Sequence, residues 1–434
     1  MPIMESQTSG QSVGQVVIHN ASLSINIAGW RRIVGGLFVA AFMIRLAFVL
    51  TLQDGFYFYD SVDYTASALN LVTHGEFGEA YRRPPAYPVF LAGIYSLFGQ
   101  TILAIRLVES LLGACLAMVV AVIGRCIAGE GVGALAGFLW AVFPNAIFIA
   151  GLVYPTGLAT MLLACAVLCL VTEAGKLLAP GRAMLGGLFV GFAALTVPVA
   201  LLTAGALALW VLYWQHTRRL LLAALVLLGV ALALAPWTAR NYKVHGRFVL
   251  IEPRLVQRVP AIEVPQEDAA AATQNGDKVG AILKTPGAFA RRYVKEFANF
   301  WELSPKRVAM SQQAFREYLH AKDARIVRTT VFGTSLASLV SILSVGPMFL
   351  FALIGGVAMS FQRERRRHLS LLCSVILSFA VGYAFFFGKM RYRIPVEPYI
   401  VLLGAYGLGM IWLALASGKP VVVSPWIGRY KRPT

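Results

Sequence analysis

Apolar residues dominate the chain from Ile33 to Trp412, in runs that approach the roughly 20 residues needed to cross about 30 Å of hydrocarbon. The pattern predicts spanning helices over 33–52, 103–125, 131–150, 153–173, 183–197, 198–214, 219–237, 332–357, 369–387 and 396–416. Between the first two lies a further apolar stretch, Ala86 to Phe98, preceded by Pro84 and Pro85. At about 13 residues it is too short to span and reads as re-entrant or interfacial. Two other segments carry a helical period without the uniform apolarity of a span. Asp60, Tyr64, Ala68 and Leu71 share one face, with Gly75 placed to close the helix. Phe289, Tyr293, Phe297 and Phe300 recur at intervals of four, four and three, with Arg291, Arg292, Lys295 and Glu296 mostly facing away, the mark of an amphipathic helix resting on a membrane. The stretch 261–278 has few anchoring side chains and is expected to be mobile.

Composition agrees with lipid as the solvent. Of 434 residues, 58% are hydrophobic and 13% charged, and the mean hydropathy is +0.70, so a water-soluble globule could not cover its own apolar surface. The expected fold class is an all-α polytopic membrane protein with about ten transmembrane helices and interfacial helices in the first and the large extracytoplasmic loops. It divides into an N-terminal tail (1–32), a transmembrane region (33–237) with the first loop at 53–102, a large loop (238–330), a second transmembrane region (331–416) and a C-terminal tail (417–434). The first apolar run is too long and too poorly ended for a cleaved signal peptide and reads as a signal anchor. Cys115, Cys126, Cys165, Cys169 and Cys373 lie in or at the ends of apolar segments without CxxC spacing, as small core residues do.

Charge supplies the topology. The net charge of +18 reflects basic loops rather than a nucleic-acid site. If 86–98 does not cross, Arg31 and Arg32, Lys176 and Arg182, His216 to Arg219, Arg363 to Arg367, and Arg429 to Arg432 all fall on one side, as the positive-inside rule requires. Both termini are then cytoplasmic in a bacterial inner membrane, and the first loop, 238–330 and 388–395 share the periplasmic face.

The residues able to do chemistry gather in those three segments. Asp60 opens the first-loop helix, where a carboxylate suits the helix dipole and also serves as a cap; Asp63, one turn on, is its rival as a base. Arg82 and Arg83 precede a Pro-Pro turn and can pair a phosphate or snorkel to headgroups. Arg240 and Asn241, beyond Trp237 at the expected end of a helix, can donate to a phosphate or sugar. Lys389, Arg391 and Arg393 form a basic mouth before the last helix. Tyr87 joins the donor-binding candidates, and Tyr64, His74, Tyr293 and Trp301 are candidate cleft-lining residues. No chain of acids crosses the apolar helices, which counts against an ion-coupled transporter. Besides an enzyme, a lipid-linked-saccharide transporter, a scaffold, and an O-antigen-ligase-like enzyme working through arginine with His245 or His74 stay open.

The order of these motifs resembles the GT-C superfamily of membrane glycosyltransferases, which includes protein O-mannosyltransferases and bacterial aminoarabinose transferases. The resemblance runs from about Arg45 to Leu415 and rests on Asp60, Tyr64, Ala68 and Gly75, then RRPPAYPVFLAGIYSLFG, PWTARN and RYRIPVEP. It implies a polyprenyl-phosphate-sugar donor, a lipid, glycan or protein acceptor, membrane lipids as surroundings, and Asp60 as the base. The chain departs from many relatives at Ser61 and at Tyr154-Pro155-Thr156, where acids are common, which leaves a divalent metal open and no other cofactor called for. It departs again at Val197, where many carry an arginine, so that one phosphate or sugar contact is either missing or supplied by Arg391.

Overall fold

The computed structural model describes residues 27–417, apart from 53, 57, 59, 78–82, 174–175, 253–285, 304–333 and 387. The stretch expected to be mobile, 261–278, lies outside them, as does Arg82. Among the described residues the regular structure is helical: α1 (Ile27–Leu50), α2 (Asp60–His74), α3 (Ala86–Phe98), α4 (Ile102–Ala128), α5 (Glu130–Val142), α6 (Pro144–Ile149), α7 (Thr156–Leu170), α8 (Pro180–Thr196), α9 (Ala200–Trp214), α10 (Arg219–His245), α11 (Pro286–Phe300), α12 (Thr334–Phe361), α13 (Arg363–Phe386) and α14 (Glu397–Ser417). Six of them, α1, α4, α10, α12, α13 and α14, are by length and composition able to cross a membrane, against the ten spans expected; α3, α5, α7 and α9 are apolar but shorter. This is a multi-pass membrane protein.

Local chemistry explains where the helices break. The expected span 131–150 divides at Phe143 into α5 and α6, because Pro144 has no N–H to continue the ladder and starts a new helix instead. The carbonyls freed there are taken by Arg45 of α1, fully buried, whose Nη1 donates to Ala141 O at 3.1 Å and Nη2 to Trp140 O at 3.4 Å. One expectation fails outright. The helix expected to stop at Trp237 runs through Pro236 to His245 and ends at Gly246, whose φ of +62° closes it in the left-handed region. Arg240 and Asn241 therefore stand on α10 itself, not in a loop beyond it.

Helix α10 packs on α8, α12 on α14, and α4 on both α1 and α5. The α8–α10 crossing needs glycine: a Cβ on Gly187 would run into the Val226 carbonyl. At one end of the bundle, basic side chains close helix termini. Arg365 Nη1 donates to Ile127 O at 3.1 Å, Arg182 Nη2 donates to Leu168 O and Val171 O at 2.9 and 2.7 Å, Arg125 covers Trp30, and Arg367 covers Trp210. At the other end α1 stops and α4 starts, since Arg106 in the second turn of α4 donates to Gly55 O at 3.0 Å just past α1. Helices α2 and α3 lie between them at that same end, together with the 3-10 turns Met390–Tyr392 and Ile394–Val396 that precede α14.

Candidate active site

Helix α2 places Asp60 and Asp63 on its first turn, and the rigid Pro84-Pro85 entry to α3 brings Arg83 between them. Arg83 Nη2 lies 2.7 Å from Asp60 Oδ1 and 2.7 Å from Asp63 Oδ2, and its Nε donates to Asp63 Oδ2 at 3.1 Å. Burial alone would lower the pKa of this guanidinium, but Tyr64, Asp60 and Asp63 outweigh it and hold it above the ordinary arginine value. Arg83 also lies over the Tyr64 ring at 5.3 Å. Asp60 keeps a 30% exposed side chain, so a reactant can reach it.

The opposite wall comes from far along the chain. Tyr154, just before α7, donates its hydroxyl to Asp60 Oδ2 at 3.3 Å, and its ring packs on Phe58 with centroids 4.9 Å apart. Arg391 lies over Phe58, Tyr392 and Tyr154 at 4.9, 4.9 and 5.7 Å, and its Nη2 donates to Tyr392 Oη at 3.0 Å. Its Nε is buried without a hydrogen-bond partner among the described residues. No carboxylate among the described residues pairs with Arg391, although Asp60 is near enough to act on it electrostatically. An aromatic cage thus holds a cation facing an exposed carboxylate, the arrangement an anionic group next to a reacting hydroxyl needs.

The other expected residues divide. Arg240 joins the site end: it stacks on Trp237 at 4.8 Å and on Phe77 at 5.7 Å, tying α10 to the segment after α2. Asn241 is buried and donates to Val249 O and Ile251 O at 3.1 Å each, folding the chain back on α10. Arg393, two residues from Arg391, turns the other way. It is fully buried, with Nε 3.1 Å from Glu397 Oε1 and Nη1 donating to Phe300 O and Glu302 O at 2.9 and 2.8 Å, so it joins α14 to the end of α11. Lys389 is exposed. His74 is exposed and lies 2.7 Å from Thr73 Oγ1. On α11, Tyr293 donates to Val381 O at 3.2 Å, and Trp301, just past its end, packs on Phe297, Phe300 and Phe349. Tyr87 is fully buried and bonds Glu109 at 2.5 Å.

A metal does not fit this arrangement. Arg83 occupies the space between the two carboxylates that a divalent cation would need, and Ser61 is buried, 3.5 Å from Leu152 O. Among the described residues no three His, Cys, Asp or Glu side chains gather as ligands. Phe58 and Glu109 entered none of the sequence-derived candidates. Tyr154 did carry a signal, since it stands where relatives of the suspected family have an acid.

Comparison with known proteins bears on this geometry. A family profile described as dolichyl-phosphate-mannose-protein mannosyltransferase matches residues 82–239. No curated protein matches the chain. Among solved structures, the apo oligosaccharyltransferase of Archaeoglobus fulgidus aligns with a TM-score of 0.56 at 13% identity, over 90% of this chain and 52% of its own. The chain has the GT-C fold. ArnT from Cupriavidus metallidurans bound to undecaprenyl phosphate shares it, with a TM-score of 0.54 at 15% identity over 91% of this chain and 64% of that one. The chain therefore spans about half the length of the first GT-C structure and less than two thirds of the second.

Proposed function

We propose that the chain transfers a sugar from a polyprenyl-phosphate donor to an acceptor hydroxyl, with Asp60 as general base and the site at the periplasmic face of a bacterial inner membrane. The observation that carries this is the accessible Asp60 carboxylate set between Arg83 and the aromatic-caged Arg391. Asp60 takes the hydroxyl proton as the acceptor oxygen bonds to the sugar's anomeric carbon. The bond from that carbon to the phosphate oxygen breaks, and its electron pair leaves with the phosphate. Arg391, whose buried Nε has no partner among the described residues, takes the phosphate charge as it develops. Arg83 shares itself between Asp60 and Asp63, offsetting the repulsion between the two carboxylates, and Arg240, stacked on Trp237 and Phe77, adds a further cation at this end of the bundle, as does the exposed Lys389. Membrane side follows from charge: the cationic helix ends meet at the opposite end of the bundle, the one the positive-inside rule assigns to the cytoplasm.

Support for the carrier comes from the ArnT structure, which holds undecaprenyl phosphate, and from the A. fulgidus oligosaccharyltransferase in complex with an inhibitory peptide and a dolichol-phosphate. The test is transfer or slow hydrolysis of radiolabelled undecaprenyl-phosphate sugars by the purified protein in liposomes. Asp60→Asn is expected to lower turnover by about 10² to 10⁴, the usual contribution of a positioned base. An Asp60→Asn protein working at the wild-type rate removes Asp60 from the role.

A further inference from the structure

We propose that Arg106 is a positioning residue: from one guanidinium it holds the two segments whose aromatic rings, Phe58 and Tyr154, cage Arg391 beside Asp60. The inference rests on the pocket being a site for a polyprenyl phosphate. Arg106 stands in the second turn of α4 and is only 3% exposed. A charge buried in an apolar helix is costly unless its N–H groups are bonded. Its Nη2 donates to Gly55 O at 3.0 Å and its Nε to Gly151 O at 3.2 Å. Each carbonyl lies three residues ahead of a cage ring, Gly55 ahead of Phe58 and Gly151 ahead of Tyr154.

Both anchor points need glycine. Gly55 has φ +144°, a conformation that side chains avoid. A Cβ on Gly151 would run into Leu52, just past α1. Beyond Gly151 the turn carries Val153, a β-branched residue at φ +50°, which surrounding structure must hold in place. The two arms then converge. Tyr154 donates to Asp60 Oδ2 at 3.3 Å, and Phe58 leads into α2, its carbonyl accepting from Ser61 N at 3.1 Å. The two rings pack with centroids 4.9 Å apart, and Arg391 lies over both. An arginine that served only to close α4 would bond carbonyls close by in the chain. These two bonds reach 51 and 45 residues away, to the segments that flank Asp60.

The test is a double-mutant cycle between Arg106→Gln and Arg391→Gln in the full-length, detergent-solubilised protein. The readout is the apparent Kd for undecaprenyl phosphate by microscale thermophoresis. Arg106→Gln alone is expected to bind about tenfold more weakly, within the range of an aromatic cage that no longer holds its cation in place. If Arg106 acts through the caged cation, adding it to Arg391→Gln costs less than about twofold more; independent action would multiply the two losses. Unchanged binding by Arg106→Gln, or the multiplied loss, overturns the inference, because a merely structural role gives no coupling to Arg391. Should Arg106→Gln not fold, Arg106→Lys takes its place in the cycle, with the same outcomes overturning the inference. It keeps the charge but not the planar fork that reaches both carbonyls, so a loss of about fivefold is expected alone and less than about twofold on top of Arg391→Gln. Wild-type binding with a multiplied loss ends this inference and leaves the carrier site standing. Wild-type protein that does not bind undecaprenyl phosphate ends both.

Discussion

Replacing Arg391 with glutamine removes a cation caged by Phe58, Tyr154 and Tyr392 and paired with no carboxylate among the described residues, while keeping most of its stem. A hydrogen bond to a charged group contributes about 1.5–3 kcal/mol, so losing the phosphate contact should weaken undecaprenyl phosphate about 10- to 150-fold. Folding should respond differently. The variant gives up cation–π contact with Phe58, Tyr154 and Tyr392, about 0.5–2 kcal/mol each by general measure. It also relieves the desolvation of a buried guanidinium that lacks an acidic partner, a term of similar size and opposite sign. The melting temperature is therefore expected to move little while affinity falls, and Arg391→Lys, with its charge but no planar fork, should lie between. Arg83→Gln should show the reverse. Its cation is already shared by Asp60 and Asp63, so its loss leaves two carboxylates in mutual repulsion and lowers stability more than affinity. Thermophoresis against undecaprenyl phosphate beside a thermal melt of each variant separates these outcomes. Arg391→Gln binding within about twofold of wild type, or losing affinity only in step with its melting temperature, would refute the assignment.

Three further outcomes follow from the geometry. Asp63→Asn should cost turnover less than about tenfold, against about 10² to 10⁴ for Asp60→Asn, because Asp60 keeps both Arg83 and Tyr154; the ranking is read in the liposome transfer assay, and its reversal makes Asp63 the base. Arg393→Leu should destabilise by about 3–5 kcal/mol, since it leaves Glu397 buried with Asn145 as its one remaining side-chain partner among the described residues, and Arg393→Leu/Glu397→Leu should recover much of that in denaturant or thermal titration; an Arg393→Leu protein that stays as stable as wild type contradicts the buried pair. Gly388→Ala should lower both turnover and melting temperature. Its Cβ would meet the Glu296 carbonyl, and its N–H donates to Glu296 Oε2 at 2.7 Å, so α11 has to shift; unchanged activity would show that α11 takes no part in shaping the pocket.

What could be read along the chain is what depends on period and charge. The face formed by Asp60, Tyr64 and Ala68 located α2, and the aromatic stripe from Phe289 to Phe300 located α11, because a helix shows its buried side every three or four residues whatever it packs against. The basic clusters at one bundle end follow the same logic, since lysine and arginine are placed by the membrane rather than by neighbours. Tertiary structure decided the rest. Arg391 and Arg393 are two residues apart in one basic motif, yet the intervening 3-10 turns send the first to Tyr154 beside Asp60 and the second to Glu397 and the end of α11. Tyr154 looks like an ordinary loop residue until the turn before α7 meets α2 at Asp60. Local pattern reports whether a side chain faces lipid, water or protein. Which protein group it meets depends on contacts between segments tens to hundreds of residues apart, and no period along the chain encodes those.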